Sequence, residues 1–471
     1  MEAGVDTHDA LRELLRRQRE AWRAQPPGYA RRMDDLARLR AQLKAHLDDF
    51  IRAIDADFGR RPRHETLFGE AFTVLHAIDH ARRHLKRWMR PQRVAADWPF
   101  LPARCEILVR PLGVIGIIAP WNYPMNLALG PLVDALAAGN HAMLKPSEFT
   151  PRTAELLERM IGGIFPRERV AVVRGDADVA AAFSALPFDH LLFTGSTEVG
   201  AKVMAAAAPN LVPVTLELGG KSPAIVAPGF PVATAAARIA TGKWFNAGQT
   251  CIAPDYVLLH AGDRDAFVAC MREEVARRYA APRDSPDYAS IVNRNHYERL
   301  CAWRDEACAR GAEVIALPDS GAADVARRIF PPTLVLSAND SMRLLREEIF
   351  GPILPVVTYR DIEEAIEYVN ARSRPLALYL FDRDVARAER ILAACPAGGA
   401  CLDDCLLHFA QMRLPFGGIG ASGMGAYHGH AGFLAFSHRM PVFRQSRLGL
   451  SGLLQPPYGK LADRLLQLLT R

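Results

Sequence analysis

Three short apolar segments constrain the fold of this chain most, because each ends in a polar or glycine-containing turn and then leads into a helical pattern. They cover residues 114–119, 141–144 and 190–193. Short apolar runs bounded by turn residues are typical of strands buried inside a sheet. In open α/β sheets, ligands bind just beyond the carboxyl ends of the strands. We therefore expect the turns after these segments to face a ligand site.

The first two turns carry polar side chains of different kinds. Trp121 and Asn122 follow the first segment in a proline-rich turn, where an asparagine can face a ligand or simply form the turn. Lys145 and Glu148 follow the second segment, which puts opposite charges at the exit of a strand. Both turns are candidate site segments.

The third turn is a glycine-containing loop at the start of an alanine-rich helix. Residues 194–200 read Thr-Gly-Ser-Thr-Glu-Val-Gly. Unpaired backbone N–H groups and the helix dipole favour a phosphate at such a position. The dinucleotide fingerprint Gly-x-Gly-x-x-Gly is absent, and Ala201 stands where a P-loop requires lysine after Gly200. The loop therefore predicts an anion site only together with other motifs, because many glycine turns bind nothing.

Cys251 is the candidate nucleophile. It lies in a small, polar run between two apolar segments, Phe-Asn-Ala-Gly-Gln-Thr-Cys-Ile-Ala-Pro at 245–254. A thiol attacks carbon only as the thiolate, so it needs partial exposure and a nearby amide or positive charge. Gly248 and Thr250 leave room for both. Taken alone, Cys251 could equally be a buried structural thiol.

Glu217 is the candidate general base. Leucines flank it and two glycines follow, a setting that predicts a desolvated carboxyl with a raised pKa. A lone glutamate on a strand would otherwise face solvent. Two loop-forming stretches of similar mixed character follow at 347–352 and 414–420.

Composition limits the partners and the compartment. The net charge is +6, with 58 basic residues interleaved among 52 acidic ones, so nucleic-acid binding is not predicted. The eight cysteines form no Cys-x-x-Cys pair and have no histidine at zinc-like spacing, which predicts reduced thiols in a cytoplasm and no metal site. No apolar run approaches about 18 residues, so no membrane span is predicted, and the charged N-terminus does not resemble a signal peptide.

The first ninety residues predict helices, because apolar residues recur there at helical spacing. Arginine runs occupy the other faces of these helices. We interpret them as solvated faces, with an anionic partner as the alternative.

Taken together, these motifs resemble the NAD(P)-dependent aldehyde dehydrogenase superfamily, in its order and approximate spacing and over nearly the whole chain. The motifs are Trp121-Asn122, Lys145, the loop 195–200, Glu217 to Lys221, Cys251, Glu348 to Pro352 and Pro415 to Gly418. The stretches 249–256 and 436–439 resemble the class 3 branch of that family. The stretches 64–67, 88–91 and 456–460 are most similar to bacterial coniferyl aldehyde dehydrogenases.

The resemblance implies a mechanism. Cys251 attacks the aldehyde carbon to give a thiohemiacetal, whose oxyanion the Asn122 side-chain amide and the Cys251 backbone N–H hold. Hydride passes to the nicotinamide of NAD or NADP, and the sequence leaves the choice between the two open. Glu217 then activates the water that hydrolyses the thioester to a carboxylic acid.

The resemblance also implies two sets of binding residues. The cofactor residues are Lys145 and Glu148 at the adenosine ribose, Gly195, Ser196, Thr197 and Gly200 at the pyrophosphate, and Glu348, Phe350 and Trp121 towards the nicotinamide end. The substrate-tunnel residues are Tyr123, Asn126, Leu127, Phe245 and the loop 401–412.

The implied architecture is an α/β fold with a parallel-sheet cofactor domain and an α/β catalytic domain. The cofactor domain covers 1–92 and 112–218, the catalytic domain 219–425, and oligomerisation or bridging segments 93–111 and 426–471. The last of these ends in a short amphipathic helix at 461–469. We expect a homodimer that oxidises coniferyl aldehyde to ferulate. The alternative functions are a general or fatty aldehyde dehydrogenase, a non-oxidative aldehyde or acyl binder, and a structural protein.

Overall fold

The computed structural model describes residues 7–317, 323–447 and 455–470 of the 471-residue chain. The predicted bridging segment 426–471 therefore includes residues 448–454 and Arg471, which lie outside the described residues, as does the start of the predicted cofactor domain at 1–6.

Helices make up the N-terminal part and cover the sheets in the rest of the chain. The helices are α1 Thr7–Ala24, α2 Tyr29–Ala45, α3 Leu47–Phe58, α4 Arg63–Thr66, α5 Thr73–Trp88, α6 Asn126–Ala138, α7 Pro151–Ile164, α8 Ala177–Ser184, α9 Thr197–Ala207, α10 Val232–Trp244, α11 Arg264–Arg278, α12 Arg294–Ala309, α13 Arg343–Arg346, α14 Ile362–Asn370, α15 Val385–Ala394, α16 Gly429–Ala435 and α17 Lys460–Leu469. A π-helical segment, Leu67–Phe72, joins α4 to α5. None of the described helices combines the length and the apolar character that a membrane crossing requires.

The strands form three sheets within the described residues. The strands are β1 Gln92–Val94, β2 Arg104–Pro111, β3 Val114–Ile118, β4 His141–Lys145, β5 Val170–Val172, β6 His190–Thr194, β7 Val214–Glu217, β8 Pro223–Val226, β9 Tyr256–His260, β10 Glu313–Ala316, β11 Thr333–Leu336, β12 Ile353–Tyr359, β13 Ala377–Phe381, β14 Gly399–Leu402, β15 Gly423–Met424 and β16 Ser437–Arg444.

The first sheet has the strand order β15-β7-β6-β3-β4-β5 and is parallel except for β15. Every residue of β3, β4 and β6 is buried, as expected for parallel strands that helices cover on both faces. The register sets Ile118 beside Lys145 and Thr194 beside Glu217. The carboxyl ends of these strands therefore meet at one edge of the sheet.

The second sheet has the order β10-β11-β12-β9-β8-β13-β14, with only β10 antiparallel to its neighbour. The third sheet is antiparallel, with β2 between β1 and β16. It joins the segment before β3 to the segment after α16, so two parts of the chain that are far apart in sequence form one small unit. β16 lies at the outer edge of this sheet.

The arginine runs of the N-terminal helices are only partly solvated, which corrects our interpretation of them. Arg32 on α2 is buried at 7% exposure, and Arg61 in the loop between α3 and α4 is buried at 2% exposure. Arg32 donates to the carbonyl oxygens of Pro27 and Ala137, at 2.8 and 3.1 Å. A buried guanidinium is stable only with such partners, which sequence periodicity does not reveal.

Candidate active site

A cleft of about 230 Å³ lies where the strand ends of the first sheet meet loops of the second. It gathers many of the predicted site residues. Its lining includes Trp121, Asn122, Gly195, Ser196, Glu217, Cys251, Glu348 and Phe350, together with His296 and Arg299.

The loop before Cys251 has an uncommon backbone. Asn246 and Ala247 have φ values of +54° and +50°, which side-chain-bearing residues rarely adopt. The Gln249 side chain stabilises this shape, because its amide donates to the carbonyl oxygens of Asn246 and Ser290, both at 3.0 Å. A side chain at Gly248 would collide with the carbonyl of residue 351. The loop is thus held in one conformation, which fixes the position of the thiol.

The Cys251 side chain is partly exposed, and its electrostatic surroundings are acidic. Burial, together with the Glu348 and Glu217 carboxyl groups, raises the pKa of the thiol to about 12. The backbone N–H groups of Cys251 and Ile252 act in the opposite direction. The backbone amides therefore favour the thiolate as predicted, but burial and the two carboxyl groups outweigh them, and the thiol is protonated at neutral pH.

Glu217 ends β7 and is buried at the bottom of the cleft. Neither of its carboxyl oxygens has a hydrogen-bond partner in the described part of the chain. Burial raises the pKa of this carboxyl well above its ordinary value. Its leucine and glycine neighbours predicted such a desolvated carboxyl.

Asn122 is buried and held at both its main chain and its side chain. Its side-chain amide donates to the carbonyl oxygen of Gln249 at 3.2 Å. Its own carbonyl oxygen accepts from Arg61 Nη1 at 2.7 Å and from the Asn246 side chain at 3.1 Å. An asparagine amide carries two donor hydrogens, so one remains for an acceptor in the cleft.

A second cleft, of about 580 Å³, shares Trp121, Gly195, Ser196 and His296 with the first. Lys145 is buried in its wall, where its Nζ donates to the Pro146 carbonyl oxygen at 2.9 Å and lies 3.8 Å from Glu148. Burial lowers the pKa of Lys145, although Glu148 and Asp176 oppose this effect.

The start of α9 faces both clefts. Ser196 caps the helix by accepting from the Val199 N–H at 3.4 Å, and Gly195 donates to the Glu217 carbonyl oxygen at 3.0 Å. Thr197, the first helical residue, donates to the carbonyl oxygen of Ala421 at 3.0 Å. A Cβ at Gly200 would stand 2.5 Å from Leu218, so glycine permits α9 to pack closely against the end of β7.

Glu348 and Phe350 close the cleft from the second sheet. The Glu348 carboxyl lies so close to Gly219 that any side chain at Gly219 would collide with it. Burial, with a contribution from Asp255, raises the pKa of Glu348 to about 8. The Phe350 ring packs edge-on against Trp121, with centroids 5.3 Å apart.

The four predicted tunnel residues do not line these two clefts, and two of them, Tyr123 and Phe245, lie at the Cys251 loop. The Tyr123 hydroxyl is 2.7 Å from Thr250 Oγ1, and its ring is nearly parallel to that of Phe245, at 13° with centroids 6.5 Å apart. Asn126 donates to the carbonyl oxygen of Gly69 at 3.1 Å, and Leu127 is buried in the first turn of α6.

The predicted tunnel loop 401–412 reaches the neighbourhood of Cys251 through Tyr379. The His408 ring packs edge-on against Tyr379, with centroids 6.0 Å apart. The Tyr379 hydroxyl donates to the carbonyl oxygen of Ile252 at 2.5 Å.

Several site residues were not found from the sequence. His296 contacts Trp121 at 5.1 Å between centroids, and Arg299 lines the same cleft. Both lie on α12, where no motif pointed to a site. Gly69 and Glu70 on the π-helical segment also contact predicted tunnel residues. A π-helical turn often marks a functional site, but it has no clear sequence signal.

The first sheet is parallel, and a capped helix start, a thiol and a desolvated carboxyl lie at its carboxyl edge. This is the arrangement of an α/β oxidoreductase. The model of the Aldehyde dehydrogenase family matches residues 2–442, so the chain belongs to this family. The resemblance inferred from the motifs and the α/β fold are thereby confirmed.

Three similar proteins add detail to the family assignment. The chain is 49% identical over 456 residues to a probable coniferyl aldehyde dehydrogenase of Pseudomonas aeruginosa, covering 97% of this chain and 95% of that one. It superposes with a TM-score of 0.92 on the substrate-bound AldH of Staphylococcus aureus, at 36% identity and covering 97% and 99% of the two chains. An NAD-dependent aldehyde dehydrogenase from Sinorhizobium meliloti matches with a TM-score of 0.84 at 27% identity, covering 93% and 87%.

Proposed function

We propose that this protein oxidises an aldehyde to a carboxylic acid in the cleft around Cys251, using NAD or NADP. The proposal rests on one observation. Cys251, Asn122 and Glu217 line the same cleft, although they come from three separate parts of the chain. A nucleophile, an amide donor and a desolvated base are what acyl chemistry on a thiol requires.

The residues around the two clefts fit a dinucleotide. The N-terminus of α9 suits a pyrophosphate, and the Glu348 carboxyl, which packs against Gly219 in the wall of the first cleft, can accept a hydrogen bond from a ribose hydroxyl. Lys145 and Glu148 suit the second ribose, and an acidic residue there favours NAD over the phosphorylated cofactor. When bound, the oxidised nicotinamide supplies a positive charge and a hydride acceptor.

The chemistry begins at the sulfur. Cys251 gives its proton to solvent, and its Sγ forms a bond to the carbonyl carbon while the C=O π electrons move to the oxygen, which gives a thiohemiacetal with a negatively charged oxygen. The free amide hydrogen of Asn122 and the backbone N–H of Cys251 stabilise that oxygen. Because the Cys251 loop is rigid, these donors need little rearrangement during the reaction.

Glu217 completes the turnover. After oxidation the acyl group is held on Cys251 as a thioester, and Glu217 accepts a proton from the attacking water. Its raised pKa makes it a stronger base than an ordinary glutamate. Release of the carboxylic acid then restores the thiol.

The substrate we propose is coniferyl aldehyde, with ferulate as the product. The similarity to the Pseudomonas aeruginosa relative supports this choice. So do the nearly parallel rings of Tyr123 and Phe245, which offer flat apolar surfaces to a planar substrate. A general or fatty aldehyde dehydrogenase is the second candidate, because the same rings can flank an alkyl chain.

We further propose that the protein is a cytoplasmic homodimer and that its domains have the roles implied by the resemblance. Residues 1–92 and 112–218 bind the cofactor, 219–425 carry the catalytic residues, and 93–111 and 426–471 bridge the subunits. The outer edge of β16, which pairs with no further strand among the described residues, supports the bridging role, because a free strand edge can pair with another chain. The eight unpaired cysteines agree with a reducing compartment.

The test is the Cys251→Ala variant. We expect it to lose the aldehyde-dependent reduction of NAD while it still binds NAD and unfolds at the wild-type temperature. Cys301→Ala, which removes a partly buried thiol of α12, is the matched control and should keep full activity. Normal turnover by Cys251→Ala would refute the proposed function.

A further inference from the structure

A buried ion pair lies beneath the turn that carries Asn122. Arg61 and Glu70 come from the N-terminal helical region, one on each side of α4, and their side chains are completely buried. Arg61 Nη1 and Glu70 Oε1 are 3.3 Å apart. Both residues contact the turn 122–126 directly, so the pair is next to the candidate active site.

Arg61 holds the start of the turn. Its Nη1 donates to the main-chain carbonyl oxygen of Asn122 at 2.7 Å. Its guanidinium lies over the Tyr123 ring, 4.7 Å from the centroid, and over the Phe58 ring at 4.8 Å. One side chain therefore contacts the proposed oxyanion residue and the adjacent proposed tunnel residue.

Glu70 holds the end of the same turn. Its Oε2 accepts from the N–H groups of Met125 and Asn126, at 2.7 and 3.2 Å. These groups lie at the start of α6, where N–H groups have no partner within the helix. Glu70 thus caps α6 while it pairs with Arg61.

The hydrogen bonding of the Arg61–Glu70 pair is incomplete, so a contribution to stability does not explain the pair by itself. Arg61 Nε and Nη2 have no hydrogen-bond partner among the described residues, and burial raises the pKa of Glu70 against the opposing effect of Arg61. Buried ion pairs often contribute less stability than apolar residues of equal size, so a geometric role is the better explanation for an incompletely satisfied one.

We propose that Arg61 and Glu70 are positioning residues that clamp the two ends of the turn 122–126 and thereby aim the Asn122 amide at the oxyanion. This inference rests on the proposed function. Asn122 is the residue of this turn that we propose contacts the oxyanion, so we expect the effect of Arg61 and Glu70 on kcat to pass through Asn122, whereas an effect through Tyr123 would alter the KM for the aldehyde.

The experiment is a double-mutant cycle between Arg61→Met and Asn122→Ala, measured as kcat for aldehyde oxidation with saturating NAD. We expect Arg61→Met to lower kcat about tenfold to a hundredfold, because small misplacements of a catalytic group have effects of that size. The KM for NAD should stay unchanged. In the Asn122→Ala background, Arg61→Met should lower kcat by less than about twofold, since there is no amide left to aim.

Three further variants separate positioning from folding. Glu70→Gln keeps an acceptor for the α6 N–H groups but loses the charge, and it should show a smaller decrease in kcat with the same non-additivity. Arg61→Lys should restore part of the rate, which keeps the proposal testable if Arg61→Met does not fold. Arg32→Met removes another buried arginine that binds main-chain carbonyls, and it should lower the unfolding temperature without changing kcat per folded molecule.

Equal fold-losses from Arg61→Met in the wild-type and Asn122→Ala backgrounds would overturn the inference, as would an unchanged kcat in Arg61→Met. Neither result would affect the proposed function. The proposed function fails separately, if the wild-type protein oxidises no aldehyde.

Discussion

At the scale of single residues, the main finding is the acidic surroundings of the Cys251 thiol. Two buried carboxyl groups, Glu217 and Glu348, raise its pKa when they are ionised. Their own pKa values are also raised, that of Glu348 to about 8, so Glu348 is largely neutral at neutral pH and ionises before the thiol does. The three groups therefore titrate together, and their protonation depends on what else occupies the cleft.

This coupling predicts the pH dependence of thiol alkylation in the protein without cofactor. Because the thiol pKa is raised to about 12, the thiolate fraction stays small at neutral pH and increases as the pH rises towards that value. Glu348 ionises at about pH 8 and then opposes thiolate formation. We therefore expect Glu348→Gln to react faster with iodoacetamide, chiefly above that pH.

The measurement is the alkylation rate of Cys251 against pH, followed by mass spectrometry, with Cys251→Ala to identify signal from the other thiols. A wild-type midpoint at the ordinary thiol pKa, or identical profiles for the wild type and Glu348→Gln, would contradict the coupling.

A second prediction concerns Glu217. The Glu217→Gln variant keeps the size of the side chain but not its basicity, so acylation proceeds and hydrolysis stops. We expect a burst of reduced cofactor of about one equivalent per active site, followed by a steady rate lowered about a hundredfold or more. Rapid mixing with absorbance detection of the reduced cofactor measures both phases.

Asp134→Asn is the matched control for Glu217→Gln. Asp134 is another buried carboxyl whose pKa burial raises well above its usual value, but it accepts a hydrogen bond from the His428 N–H and lines neither cleft. The Asp134→Asn variant should turn over at a constant rate, without an initial burst followed by a slow phase. A steady-state rate of wild-type size in Glu217→Gln would remove Glu217 from the mechanism.

At the scale of elements, the π-helical segment Leu67–Phe72 stands out, because it presents main chain to the proposed tunnel. A Cβ at Gly69 would stand 2.8 Å from the Tyr123 ring and 3.1 Å from the Phe245 ring. The Gly69 carbonyl also accepts from Asn126. One glycine thus contacts three of the four predicted tunnel residues and sets how closely the helix approaches the two rings.

The third prediction follows from this packing. In the wild type we expect kcat/KM for coniferyl aldehyde to exceed that for hexanal by about tenfold or more. Gly69→Ala should lower this ratio, because the added methyl group displaces the rings that flank a planar substrate. Gly163→Ala in α7, where a Cβ meets nothing within 4 Å, is the control and should leave the ratio unchanged.

A wild-type preference for hexanal or decanal would favour a general or fatty aldehyde dehydrogenase and leave the Cys251 chemistry untouched. An unchanged ratio in Gly69→Ala would instead show that the two rings do not determine substrate preference.

At the scale of the whole molecule, the small antiparallel sheet joins chain segments that the two larger sheets do not use. Its outer strand β16 is mostly exposed and has no neighbour on one side within the described residues. We expect light scattering of the purified protein to give a mass of twice the 51.9 kDa chain mass. A monomer at micromolar concentration would refute the proposed dimer.

Much of the fold and the candidate site could be predicted because the signals are local in sequence. The predicted apolar segments 114–119, 141–144 and 190–193 correspond to β3, β4 and β6 to within one residue, and the turns after them face the clefts. Parallel strands place their carboxyl ends at one edge, so the strand order along the chain was enough to bring these turns together. The desolvation of Glu217 was likewise visible in its nearest neighbours.

What the sequence determined by itself is therefore which residues form buried strands, which turns follow them and which side chains those turns carry. Only the tertiary structure decided that Arg61 is buried beneath Asn122, 61 positions away, and that Glu65 binds the backbone of Asn246, 181 positions away. Only it placed Glu348 beside the thiol and Gly69 against two tunnel rings. These features depend on the burial and the electric field that distant segments create together, and no pattern within a single segment contains that information.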